Sequence, residues 1–156
     1  MTDPIRTAIV AKLNTVTDIG RVHAYERYAN QLADLAALYA WNPGGGPAQL
    51  RGWFVRRVKV HESMPTLATY SETITWRIRG YMALSDAAAS ELAFDDLINA
   101  IRDAFRADDT LGGVVDSCRF DREAGIQMDD AGPVLFANVL CHSAQLTLTT
   151  RRYFAG

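Results

Sequence analysis

The sequence predicts an α+β fold: one mainly antiparallel sheet with helices packed on one face, in the order α-β-α-β-β-α-β-β, around a long central hairpin. Three observations carry that expectation. Around residues 73–82, Ile74, Trp76, Ile78 and Met82 share one parity, and Thr73, Thr75, Arg77 and Arg79 share the other. This is the alternation of a strand with one face on a core and the other wet and cationic. Over residues 86–107, Phe94, Leu97, Ile98, Ile101, Ala104 and Phe105 recur at helical spacing, with Asp95, Asp96, Arg102, Asp103 and Arg106 opposite. The breaks between periodic stretches are short, so the 156 residues make a single domain, 1–156, without a linker.

Each element has its own justification. Asp3 and Pro4 suit a helix start, a capping carboxylate followed by proline at the first helical position. Ile5, Ile9 and Leu13, with Val10 and Val16 alongside, give that helix an apolar stripe, and Gly20 ends it. Residues 21–26 read as a short strand. Residues 30–41 form a second helix with Leu32, Leu35, Ala36, Leu38 and Tyr39 on its buried side. The stretch 42–47, Asn-Pro-Gly-Gly-Gly-Pro, stops it. That stretch follows a helix and lacks a following Lys-Ser/Thr, so it is not a phosphate loop.

The hairpin occupies residues 50–84, with its loop at 61–69. On the outgoing strand Phe54, Val58 and Val60 share one face, interrupted by Arg56, and Trp53, Val55, Arg57, Lys59 and His61 share the other. Ser85 and Asp86 cap the next helix, and Asp108-Asp109 and Gly112-Gly113 end it. Residues 114–128 read as a strand kinked at Gly125, and Asp129-Asp130-Ala131-Gly132 as a tight turn. The last strand, 134–150, is apolar on both parities at first, so it is central or covered by another chain. The inner six elements repeat the split strand-helix-strand unit, the ferredoxin-like order.

The composition narrows the chemistry. A net charge of −2 gives no global nucleic-acid signature, so any basic patch is local. No segment approaches the roughly 20 apolar residues of a membrane span, and the opening residues lack a secretory signal's apolar run. Cys118 and Cys141 lack metal-binding spacing and read as reduced thiols of a cytosolic protein. His23, His61 and His142 lie near no second ligand at suitable spacing, and the neighbours Cys141 and His142 point to opposite faces of a strand. The pairs Asp95-Asp96, Asp108-Asp109 and Asp129-Asp130 occupy a helix surface, a helix end and a turn, where acids serve caps and solvation. Ser63 and Ser143 sit in no nucleophile motif. No catalytic residue, metal ligand or cofactor site is therefore assigned.

What stands out is the basic residues on strands, Arg51, Arg56, Arg57, Lys59, Arg77 and Arg79, with Arg151-Arg152 near the end. Trp53, Trp76 and Tyr81 are interleaved with them, a mixture typical of protein interfaces and of single-strand nucleic-acid platforms. The hairpin has more outward surface than one small subunit needs. The residues also admit a ferredoxin-like ligand-binding or enzyme domain, or an RNA-binding module that residues 51–57 match loosely.

Arg51-Gly52-Trp53-Phe54-Val55, the strand Thr73-Ile74-Thr75-Trp76-Arg77-Ile78-Arg79-Gly80-Tyr81, and the helix opening Phe94-Asp95-Asp96-Leu97-Ile98 resemble small neck and tail proteins of long-tailed bacteriophages. The chain is most similar to the tail terminator (tail completion) family, also found in prophages and gene-transfer particles. The resemblance implies a sheet flanked by helices and a structural virion protein of the tail or neck, assembled in the host cytoplasm, not an enzyme. It implies a homo-oligomer, a hexameric ring that caps the tail tube protein and meets the head-tail connector. DNA would pass through without sequence-specific contact, and no membrane is involved. On this view Arg51, Trp53, Arg56, Arg57, Lys59, Arg77 and Arg79 are the candidates for the oligomer or tube interface or for the channel lining.

Overall fold

The computed structural model describes residues 3–44 and 46–155. Gly45, within the expected helix stop, lies outside the described residues. Helix α1 (Pro4–Asn14) starts as its sequence requires: the Ile5 and Arg6 amides donate to the Asp3 carboxylate at 3.0 and 3.4 Å. Its stripe, Ile5, Ile9 and Leu13, is buried. Strand β1 (Arg21–His23) follows, then a short helix α2 (Leu32–Leu38) and a two-residue strand β2 (Ala40–Trp41). The second helix is shorter than the 30–41 expected, because Ala40 and Trp41 peel away to pair with Leu50 and Gln49. Leu32, expected on its buried side, is exposed.

The central hairpin is longer than its sequence pattern suggested. β3 (Gln49–Thr66) and β4 (Thr69–Ala83) are joined by Leu67 and Ala68 alone, and the expected 61–69 loop is mostly paired strand. Asp86–Ala88 forms a single 3-10 turn, Ala89 takes a left-handed conformation at φ 52°, and α3 (Ser90–Arg106) begins only then. Neither Ser85 nor Asp86 caps it through a side chain. Instead the Ser90 hydroxyl accepts the Ser85 amide at 2.8 Å.

The region after α3 departs most from expectation. Residues 114–128 are not one strand: Leu111, Val115 and Cys118 plug the core from turns, and β5 (Arg119–Phe120) and β6 (Glu123–Ala124) make a small ribbon. Asp129 to Gly132, expected as a turn, lies inside β7 (Gln127–Phe136). The chain reverses at Ala137 and Asn138, at φ 50° and 64°, the paired positive values of a type I′ hairpin turn. β8 (Val139–Ala155) then runs the length of the sheet between β4 and β7; Val134 to Phe136, expected at its start, belong to β7, and its own apolar residues divide between Cys141 on one face and Ala144, Leu146 and Leu148 on the other.

The main sheet has the order β1-β3-β4-β8-β7, with β2 also on β3; β1 is parallel to β3 and the other pairs are antiparallel. One face carries α1 and α3 over Trp53, Val55, Trp76, Ile78, Leu146 and Leu148. α2 lies against the lower end of the opposite face, where Leu35, Leu38 and Tyr39 pack on Phe54, Tyr81 and Cys141. The fold is α+β as expected, with this one helix on the second face.

Two close contacts set the packing. The Trp53 ring lies flat over Gly80: a Cβ there would sit 2.2 Å from the indole. Its N–H donates to the Ile19 carbonyl at 3.1 Å and its ring stacks near Phe94. Gly80→Ala should therefore cost about 1–3 kcal/mol by overpacking, read as a lower midpoint in urea denaturation; an unchanged midpoint would mean the indole is free to move. At α2, buried His23 is 2.8 Å from the Leu38 carbonyl and edge-on to Tyr39. Burial, partly opposed by that hydrogen bond, lowers its pKa below 6.5. The folded chain thus refuses a proton that the unfolded chain takes up, so this contribution is complete above pH 6.5 and declines as pH falls below it. Urea midpoints measured down to about pH 5 should fall in the native chain and fall less in His23→Gln.

Candidate interaction surface

Above α2 the second face carries no helix. Its rows can be followed across the strands: Arg79 beside Gln145; Arg56, Arg77 and Thr147; Lys59, Thr75 and Thr149; His61, Thr73 and Arg151. A bulge at Val58 builds these rows. The register jumps from Arg57 opposite Trp76 to Lys59 opposite Thr75, so the alternation inverts there. Val60 turns to the helix-bearing face opposite Ile74, while Lys59 and His61 join Arg56. The simple parity of the sequence put Lys59 and His61 with Trp53, Val55 and Arg57. That grouping is corrected by the extra residue.

The seven candidates therefore separate. Arg56, Lys59, Arg77 and Arg79 share the helix-free face. Trp53 cannot line an interface, because it is fully buried in its own core. Arg57 is on the helix-bearing side, 3.8 Å from Asp3. Arg51 is at the far end of β3; its guanidinium lies 4.5 Å over the Trp41 ring and donates to the Asp18 carbonyl at 3.0 Å. It holds the start of the strand in place. Missing from the seven are His61, which the bulge brings in, and Arg151, which only the β4–β8 register places there.

Positive charge on this face is only partly balanced. Arg56 meets Glu26 at 3.3 Å and Arg151 meets Asp121 at 3.7 Å. Arg79 reaches Gln145 at 3.3 Å. Among the described residues Lys59, Arg77 and Arg79 meet no carboxylate. An open groove of about 330 Å³ runs between Lys59, His61, Thr75 and Arg151.

The edge of β3 completes the surface. β1 pairs with it only as far as Phe54, and Arg6 closes the next step by donating to the Val55 carbonyl at 3.0 Å and the Ala24 carbonyl at 2.6 Å. Beyond that, from Arg56 to Thr66, no strand of the described chain pairs with the outer edge. The outer edge of β8 is treated differently. At Arg151 it exchanges backbone hydrogen bonds with Ser117, and the Tyr153 amide donates to the Asp116 carboxylate at 2.7 Å. Val60, Met64, Leu67, Tyr70, Tyr153 and Phe154 are exposed on the arm these strands form.

Groups with possible chemistry are elsewhere. Ser90 Oγ lies 2.7 Å from His142 Nε2, a pair that sequence spacing did not suggest because it joins a helix start to a strand. The same hydroxyl also closes the 85–90 turn, which gives the pair a structural role. Among the described residues no group of three or more His, Cys, Asp or Glu side chains could hold a metal ion. No helix among the described residues is long and apolar enough to cross a membrane. No protein-family model matches the chain, and neither does any curated protein.

Both thiols are held protonated. Burial pushes Cys118 up to about 12, helped by Asp109 and Asp108, and pushes Cys141 up to about 11. Both values stand above the usual 9.0, so the folded state gains from these protons below pH 9 and loses that gain as pH rises towards 11 and beyond. A colourimetric thiol reagent at about pH 8 should label neither cysteine until denaturant is added. Prompt labelling of the folded chain would contradict the burial.

Proposed function

We propose that this protein is a structural subunit of a ring that terminates the tail tube of a long-tailed bacteriophage and joins it to the head-side neck. Its partners would be further copies of itself, the tail tube protein and the connector, and its place the virion, after assembly in the host cytoplasm. The observation that carries the reading is the arm: β3, β4 and β8 stay paired to its tip, and β3 is exposed from Arg56 to Thr66 with its outer edge unpaired. Such a surface costs stability in a monomer and is covered when copies associate. The local phrases that resemble the tail terminator family point the same way.

In this reading Arg56, Arg77 and Arg79 face passing DNA. A face that mixes arginine with threonine and glutamine suits that task, since tight binding to many phosphates would arrest the duplex. An RNA-binding module is less well supported. Trp53, Trp76 and Tyr81, the aromatics interleaved with arginine in the sequence, are buried and offer no stacking platform.

Sedimentation velocity over a wide concentration range, with and without purified tail tubes, tests the proposal. The expected species is a ring near six times the 17.2 kDa chain, free or on tubes. A monomer under every condition would overturn it.

A further inference from the structure

The two outer edges of the main sheet are complementary in charge. β3 presents Arg56, Arg57 and Lys59 along its uncovered half, with His61 and Glu62 beyond them. Arg56 and Arg57 are engaged by Glu26 and Asp3, which leaves Lys59. At the other edge β7 presents Asp129 and Asp130 at a second bulge. The Thr147 hydroxyl donates to Asp129, and Asp130 points to solvent.

The apolar residues match as well. Val60 and Met128 are 46% and 54% exposed, and the registers with Ile74 and Leu146 put both on the helix-bearing face. Laid edge to edge, the two strands would bring these side chains together on one side of a continuous sheet.

We infer that the open edge of β3 in one copy pairs with β7 of a second copy, head to tail, with Lys59 set against Asp130 on the helix-free face and Val60 against Met128 on the other. This rests on the ring reading and names its interface. Strand addition satisfies the backbone groups that β3 leaves unpaired, and the charges choose the partner edge. Pairing β3 with β3 would set cations against cations, and β7 with β7 acids against acids, so both symmetric dimers are disfavoured. Because each copy gives one edge and receives another, the contact is heterologous and closes into a ring when the rotation allows.

Cross-linking with a short bismaleimide tests the pairing, alone and on tail tubes, in the full chain carrying His61→Cys together with Asp130→Cys. The buried native thiols leave little background. A ladder of products beyond the dimer is expected from the double variant and none from either single variant. In parallel, Lys59→Glu should raise the concentration for half-assembly on the order of a hundredfold, and adding Asp130→Lys should restore it. If rings form but the ladder is missing, or the His61→Cys variant alone links into dimers, this interface is wrong while the ring reading stands. A Lys59→Glu variant that assembles normally also overturns the interface. A chain that never assembles overturns both.

Discussion

Backbone hydrogen bonding along β4 is the constraint that the rest of the molecule obeys. From Thr69 to Ala83 this strand is paired with β8 at every position, and β3 accompanies it with two irregularities. A complete ladder with β8 and a nearly complete one with β3 let the strand run out to the arm with few unpaired amides or carbonyls. The obligation then passes outwards. At β8 the chain meets it internally, with residues 116–117 laid against the strand near Arg151. At β3 Arg6 meets it up to Val55 and nothing described meets it above. The two sides of one arm are thus finished differently by the same chain.

A single inserted residue gives the arm its two characters. Up to Arg57, the residues of β3 that share Trp53's parity lie towards α1 and α3, and Arg57 is tied to the α1 cap through Asp3. Val58 absorbs the extra step, so Lys59 and His61 pass to the side of Arg56 while Val60 moves to the helix-bearing face, opposite Ile74, and stays half exposed. Without the bulge, Lys59 and His61 would point to the helix-bearing side and the helix-free face would lose both. Close packing of Trp53 on Gly80 holds the lower sheet rigid, so the shift is expressed in the arm.

Where sequence and structure agree, one local rule is enough. The α1 cap, the α3 stripe and the alternation of β4 each follow from a single periodicity or a single capping side chain. Where they part, long-range contacts decide. Asp129-Asp130-Ala131-Gly132 has stronger turn chemistry than Ala137-Asn138, but β8 holds the former in a strand and Thr147 binds its carboxylate. Ser85 and Asp86 are good caps that yield to Ser90, whose hydroxyl is claimed by both His142 and the Ser85 amide. Of the candidate surface, the arginines on β4 were legible because that strand is regular. Lys59 was found as a residue but assigned to the wrong face. His61 and Arg151 could not be placed without the registers that join β3, β4 and β8.

An uncovered strand edge is either defended or used, and the residues along this one discriminate. A defended edge carries proline, bulges and inward charge throughout. Here those devices sit at the margins: the bulge at Val58 below, and the irregularity from Ser63 to Thr66 with Pro65 above. Between them Lys59, Val60, His61 and Glu62 keep regular pairing with β4, and their outer backbone groups stay available. Lys59 in that window repels a second copy of the same edge but not an acidic one, so it selects a partner without closing the site. β7 carries two aspartates at its bulge and Pro133 further on, with a short regular length between them. In the proposed ring the Lys59 side of one edge and the Asp130 side of the other make a directional pair. Direction is what a closed ring needs from its subunits.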